Sequence, residues 1–143
     1  MASNIYLLPL AASICLTIAL IQAWFMTMVR YLKLEAVKKL FPGYRNLVRS
    51  HIDYLMMASL IFSLYLVIVN LGMILPSFIL WLIFIGALYN PFGFLLQAIK
   101  PDIADGNDLM SKAAVVLGFL PLTIGLGWSA IAVMVLTGQK LLG

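Results

Sequence analysis

The sequence predicts an all-α integral membrane protein, a four-helix bundle in a single transmembrane domain. Three observations predict it. The 143-residue chain is 64% hydrophobic and only 10% charged, with a mean hydropathy of +1.11, whereas a soluble domain carries about 25% charged residues. No Asp, Glu, Lys or Arg occurs in residues 1–29, 54–99 or 113–139. A helix crosses the hydrocarbon layer in about 20 residues, so these blocks hold one, two and one crossings. Finally, Arg30, Lys33, Lys38, Lys39, Arg45 and Arg49 all fall between the first two crossings. Such a cluster is a topology determinant and a headgroup contact.

The first span is expected over residues 5–29. Pro9 is tolerable near its start, where the helix needs no backbone donor. Gln22 is a polar residue in its inner half, and Trp24 is an interfacial anchor or a lining residue. Cys15 is the only cysteine, which excludes an internal disulfide and makes it a packing residue. The first positive charge is Arg30, so the N-terminal block reads as a retained helix rather than a cleaved signal.

From Arg30 to Gly43, apolar and basic residues alternate irregularly. The helix here either continues beyond the membrane or lies along its surface. Phe41-Pro42-Gly43 is a strong stop. The second span, residues 44–69, carries His51, Tyr54, Leu55, Ala58, Phe62 and Tyr65 at spacings of three and four, on one helical face. Arg45, Arg49 and Asp53 form a neighbouring row, with Arg49 and Asp53 spaced for an i, i+4 ion pair. That face is polar and aromatic enough to point inward rather than at lipid.

Asn70-Leu71-Gly72 and Pro76-Ser77 mark an uncharged turn, so spans two and three form an antiparallel hairpin. The third span, residues 78–99, is expected to be interrupted over Gly86-Ala87-Leu88-Tyr89-Asn90-Pro91-Phe92-Gly93. Pro91 frees a backbone carbonyl one turn earlier. Asn90 either lines a site or bonds a neighbouring helix. A polar loop follows, with Asp102, Asp105 and Asp108 and a turn at Gly106-Asn107. The fourth span, residues 109–137, offers Ala114, Gly118, Pro121, Gly125 and Gly127 as a small-residue face.

One histidine and one cysteine exclude a multi-ligand zinc centre and bis-histidine haem ligation within one chain. No Gly-rich phosphate loop is present, and nucleic acid is not an expected partner. Two sites remain feasible. In one, His51 is the single axial ligand of a haem, and Arg45 and Arg49 pair with its propionates. In the other, Arg45, Arg49, His51 and Asp53 bind an anionic small molecule at the inner interface. The plain alternative is a structural histidine near a helix end.

Phe41-Pro42-Gly43-Tyr44, the Arg49-Ser50-His51 step, Leu75-Pro76-Ser77, and Asn90 followed by Gly93-Phe94 together resemble the membrane-bound styrene oxide isomerases. The resemblance runs over most of the chain. It implies haem b with His51 as axial iron ligand, a homotrimer, and conversion of a hydrophobic aryl epoxide to a carbonyl compound. On this reading Tyr54, Met57, Tyr89 and Asn90 are expected at the distal or substrate-lining shell, although the family has an asparagine where this chain has Met57. It also implies a bacterial inner membrane. By the basic cluster, loops 30–50 and 100–110 are cytoplasmic and both termini lie on the opposite side.

A second resemblance competes. Arg49-Ser50-His51-Ile52-Asp53 is similar to the step opening the second helix of MAPEG proteins, the glutathione-dependent membrane transferases and isomerases. The residues that follow in that family are replaced here by Met56 and Met57. A non-enzymatic haem- or lipid-binding membrane protein is the remaining alternative.

Overall fold

The computed structural model describes residues 4–104 and 109–143. In chain order these form α1 (Leu7–Arg30), a short α2 (Glu35–Leu40), α3 (Tyr44–Leu71), α4 (Ser77–Ile99), a 3-10 turn (Pro101–Ala104) and α5 (Leu109–Leu142). No strand occurs among the described residues. Four helices are long and apolar enough to cross a membrane: α1, α3, α4 and the Val115–Leu142 part of α5. Large apolar side chains such as Leu20, Leu66, Ile85 and Leu117 stand exposed on them, as lipid-facing surface requires.

The connectors have local causes. The last turn of α1 loosens, with Leu32 N–H reaching Thr27 O at 3.2 Å and Leu34 N–H reaching Met28 O at 3.0 Å. Lys33 sits between them at φ 51°, so α1 stops rather than continuing into the basic segment, and α2 starts afresh. At the other end, Gly72 adopts φ 65° and closes α3, with Met73 N–H on Ile68 O at 3.0 Å. A left-handed residue after the last turn is where glycine is favoured. Asp102 lies in the 3-10 turn. Asp105, Gly106, Asn107, Asp108 and the side chain of Ala114 fall outside the described residues.

Phe41-Pro42-Gly43 does more than stop a helix. Phe41 is buried with Leu47 and Ala98, and its ring lies 5.1 Å from that of Phe25. Gly43 donates its N–H to Ala98 O at 2.9 Å, and a Cβ there would stand 2.5 Å from Gln97 O. Only glycine lets the start of α3 lie this close to the end of α4.

The interior is a three-helix core. α1 packs most extensively on α3, α3 packs on α4, and α4 also meets α1. Leu8, Ala11, Ala12, Cys15 and Ala19 of α1, Tyr54, Ile61 and Ile68 of α3, and Ile79, Leu80 and Ile83 of α4 are fully or almost fully buried there. Small side chains along α1 let its backbone approach α3. α5 packs mainly on α4, where Gly86 faces Leu122 and Gly125 faces Ile83. Gly118 lies beneath the Tyr89 ring, whereas Gly127 faces open space. The small-residue face is therefore real at Gly118 and Gly125 and absent at Gly127.

One expectation needs correction. α4 runs unbroken from Ser77 to Ile99, with Pro91 inside it. Pro91 cannot donate to the carbonyl of Ala87, but the Cys15 thiol of α1 reaches that oxygen at 3.7 Å. Neighbouring helices satisfy the freed backbone, so the helix has no need to unwind.

Candidate functional site

Three side chains from two helices converge on the carbonyls of α4 around Pro91. Besides Cys15, the Tyr54 hydroxyl donates to Leu88 O at 3.0 Å and Ser50 Oγ donates to Pro91 O at 3.1 Å. Gln22 Nε2 donates in turn to Ser50 Oγ at 2.8 Å. Gln22 is 2% exposed and Ser50 is fully buried. In an apolar surrounding an unpaired polar group is costly, and this chain of bonds ties α1, α3 and α4 at one depth. Two acceptors there stay unpaired: Gln22 Oε1 and Asn90 Oδ1 are both buried without a partner.

His51 follows Ser50 on α3 and lies at the edge of this network. Its ring is half-buried, and Nδ1 stands 2.9 Å from the Ala19 carbonyl of α1. A carbonyl only accepts, so Nδ1 must carry the hydrogen, and neutral His51 then has its lone pair on Nε2. A histidine whose other ring nitrogen bonds a backbone carbonyl is oriented as metal-ligating histidines are. α1 can supply this contact because Ala19 brings only a methyl group beside its carbonyl.

The other residues singled out from the sequence are arranged unevenly around this point. Tyr54 is 1% exposed, and its hydroxyl is already committed to α4. Met57 is buried within the main core. Asn90 is half-buried with a free acceptor. Tyr89 is exposed and lies against Gly118 of α5. The stripe running from His51 to Tyr65 meets both neighbours of α3, with His51 on α1 and Tyr54 on α4. Ala58 in it is buried, Phe62 and Tyr65 pack against the core, and Leu55 is exposed.

Arg45 and Arg49 are exposed. At 3.6 residues per turn they stand about 120° and about 160° around α3 from His51. They therefore belong to the opposite flank of the helix. The expected Arg49–Asp53 pair is not formed: Arg49 Nη1 instead bonds Asn46 Oδ1 at 3.3 Å. Asn46 lies about one turn earlier and Asp53 about one turn later, both half-buried and both within reach of Arg49 on the helix surface. Among the described residues the ion pair present is Lys38–Glu35 at 3.6 Å, on the surface of α2.

Among the described residues, no three His, Cys, Asp or Glu side chains gather at one point. His51 thus qualifies only as a sole protein ligand, as in ligation of a macrocycle that brings its own donors. Sequence reasoning missed the Gln22–Ser50–Pro91 chain and the Ala19 contact. The available signal was a glutamine inside an apolar span, which demands a partner somewhere. No family model matches this chain, and no curated protein or solved structure matches it either.

Proposed function

We propose that this chain binds haem b through His51 Nε2 and isomerises a hydrophobic epoxide to a carbonyl compound in the membrane. One observation carries the ligand assignment: the Nδ1–H to Ala19 O bond leaves Nε2 as the coordinating atom of a half-buried ring. The epoxide chemistry rests on the resemblance to styrene oxide isomerases. When bound, haem supplies an electrophilic iron that polarises an ether oxygen. Opening of one carbon–oxygen bond and migration of hydride to the neighbouring carbon leave the atom count unchanged, so no oxidant or reductant is consumed.

The protein's own share is orientation and exclusion of water. The Ala19 carbonyl holds the imidazole in one tautomer. Asn90, with its unpaired Oδ1, is the residue of the proposed shell best able to accept a hydrogen bond, whereas Tyr54 and Met57 support the site from within the core. Tyr89, across α4, joins that shell only if substrate also reaches the α4–α5 side. Arg45 and Arg49 do not converge with His51 in one chain, so they pair with propionates only where a second subunit presents them. The homotrimer, with the bacterial inner membrane and cytoplasmic basic loop, belongs to this same reading. Light scattering in detergent tests the trimer by mass.

The deciding experiment is the absorption spectrum of protein purified in mild detergent after haem-supplemented expression. The expected result is a strong Soret band that shifts with dithionite and disappears in His51→Ala. A colourless, folded protein overturns the haem assignment, and glutathione binding, the MAPEG-like alternative, becomes the next assay.

A further inference from the structure

Where α1 gives way to α2, the chain forms an open surface cavity of about 650 Å³. Its walls are of two kinds. Val29, Phe41 and Tyr44 supply apolar and aromatic surface, and Glu35, Lys38 and Lys39 supply charge. Val29 ends the charge-free block 1–29 and Arg30 is the first cation of the chain. The cavity therefore straddles the level at which hydrocarbon gives way to headgroups.

α2 itself has no buried residue; Leu34 just before it and Leu40 at its end are 44% and 50% exposed. A short segment combining exposed leucines with lysines lies along an interface rather than in water. Glu35 offsets Lys38 at 3.6 Å, while Lys39 has no ion pair among the described residues. Arg30 and Lys33 flank the same corner, so the net field there is positive. A free anion needs only the cations. Apolar walls set beside cations suit a ligand that is anionic at one end and apolar at the other.

We propose that this cavity holds the headgroup end of an anionic phospholipid, with the phosphate at Lys38 and Lys39 and the upper acyl region against Val29 and Phe41. The site shares no residue with the His51 region and stands or falls independently of the haem reading. Basic pockets at this depth recognise acidic lipid heads by charge, and a zwitterionic lipid with no net charge binds them less well.

The test uses the full chain in detergent, with native mass spectrometry counting bound lipid after addition of dioleoylphosphatidylglycerol or dioleoylphosphatidylcholine. The expected result is preferential retention of phosphatidylglycerol, reduced about ten-fold or more in Lys38→Gln/Lys39→Gln. Lys38→Arg/Lys39→Arg retains the preference, as does Lys140→Gln, which removes a cation at the far end of α5. Equal retention of both lipids by the unsubstituted protein overturns the proposal. So does an undiminished preference in the double glutamine variant. Displacement of the lipid by millimolar inorganic phosphate also overturns it, because that would mark a site for the anion alone.

Discussion

The α1–α3–α4 core and α5 are held by different physics. In the core, Gln22, Ser50, Tyr54 and Cys15 bond one another or the carbonyls of α4 across helix boundaries. On α5, by contrast, the buried Ser129 bonds the Gly125 carbonyl of its own helix, and at the α4–α5 contact glycines set the approach. Burial follows the same division, with 39% of the apolar window of α1 buried against 17% for α5. Lipid offers no hydrophobic drive for helices to associate, so only tight packing and interhelical bonds remain. One region relies on both, the other on packing alone. The core should therefore tolerate the loss of one bond, and α5 should fail on one misplaced methyl.

The largest effect is expected at Gly86. A Cβ there would lie 2.6 Å from Leu122 N and 2.8 Å from Leu122 Cα. Backbone atoms of a helix cannot yield as a side-chain tip can, so Gly86→Ala must push α5 away. Overpacking costs about 1–3 kcal/mol, and alanine's helix preference returns at most about 1 kcal/mol of that. Unfolding in SDS-titrated mixed micelles should show a net loss of about 1–2 kcal/mol, with α5 more open to proteolysis. Unchanged stability and protection would mean that α5 does not sit as described.

A smaller effect separates the core from that contact. Ser50→Ala strips Pro91 O of its side-chain donor and Gln22 Nε2 of its acceptor, yet Cys15 and Tyr54 still join the helices. Interhelical hydrogen bonds in membranes contribute about 0.6 kcal/mol on average and up to about 1.7. A cycle combining Ser50→Ala with Gln22→Leu should yield a coupling of about 1 kcal/mol. A coupling of zero would demote the polar chain to a bystander of apolar packing.

These residues also show what a sequence can disclose. The all-helical class and the four apolar crossings are legible because charge-free blocks and helix rise are one-dimensional properties. That Pro91 frees a carbonyl is likewise local chemistry. Its partner is not: Cys15 lies 72 positions away, and nothing in an apolar block says which face of α1 meets α4. His51 was visible as the sole histidine, but its tautomer depends on Ala19, a residue with no signal of its own. The i, i+4 spacing of Arg49 and Asp53 was visible too. Spacing allows a partner one turn to either side, and the arginine turns toward Asn46.

The smallest expected effect probes the outer surface of α5. A Cβ built on Gly127 meets no atom within 4 Å, and Ile124, Trp128 and Ile131 around it are exposed. If lipid covers this face, Gly127→Ala adds a methyl to a yielding medium and removes glycine's helix penalty, a gain of up to about 1 kcal/mol. If another subunit packs against this face, the same methyl collides with it, and either stability or assembly falls. The micelle titration and light scattering read both quantities on one sample. A gain with unchanged mass assigns the face to lipid and moves any subunit contact to α1 or α3. A loss accompanied by dissociation instead makes α5 the helix that joins the copies, and its low burial within one chain becomes the mark of an interface completed between chains.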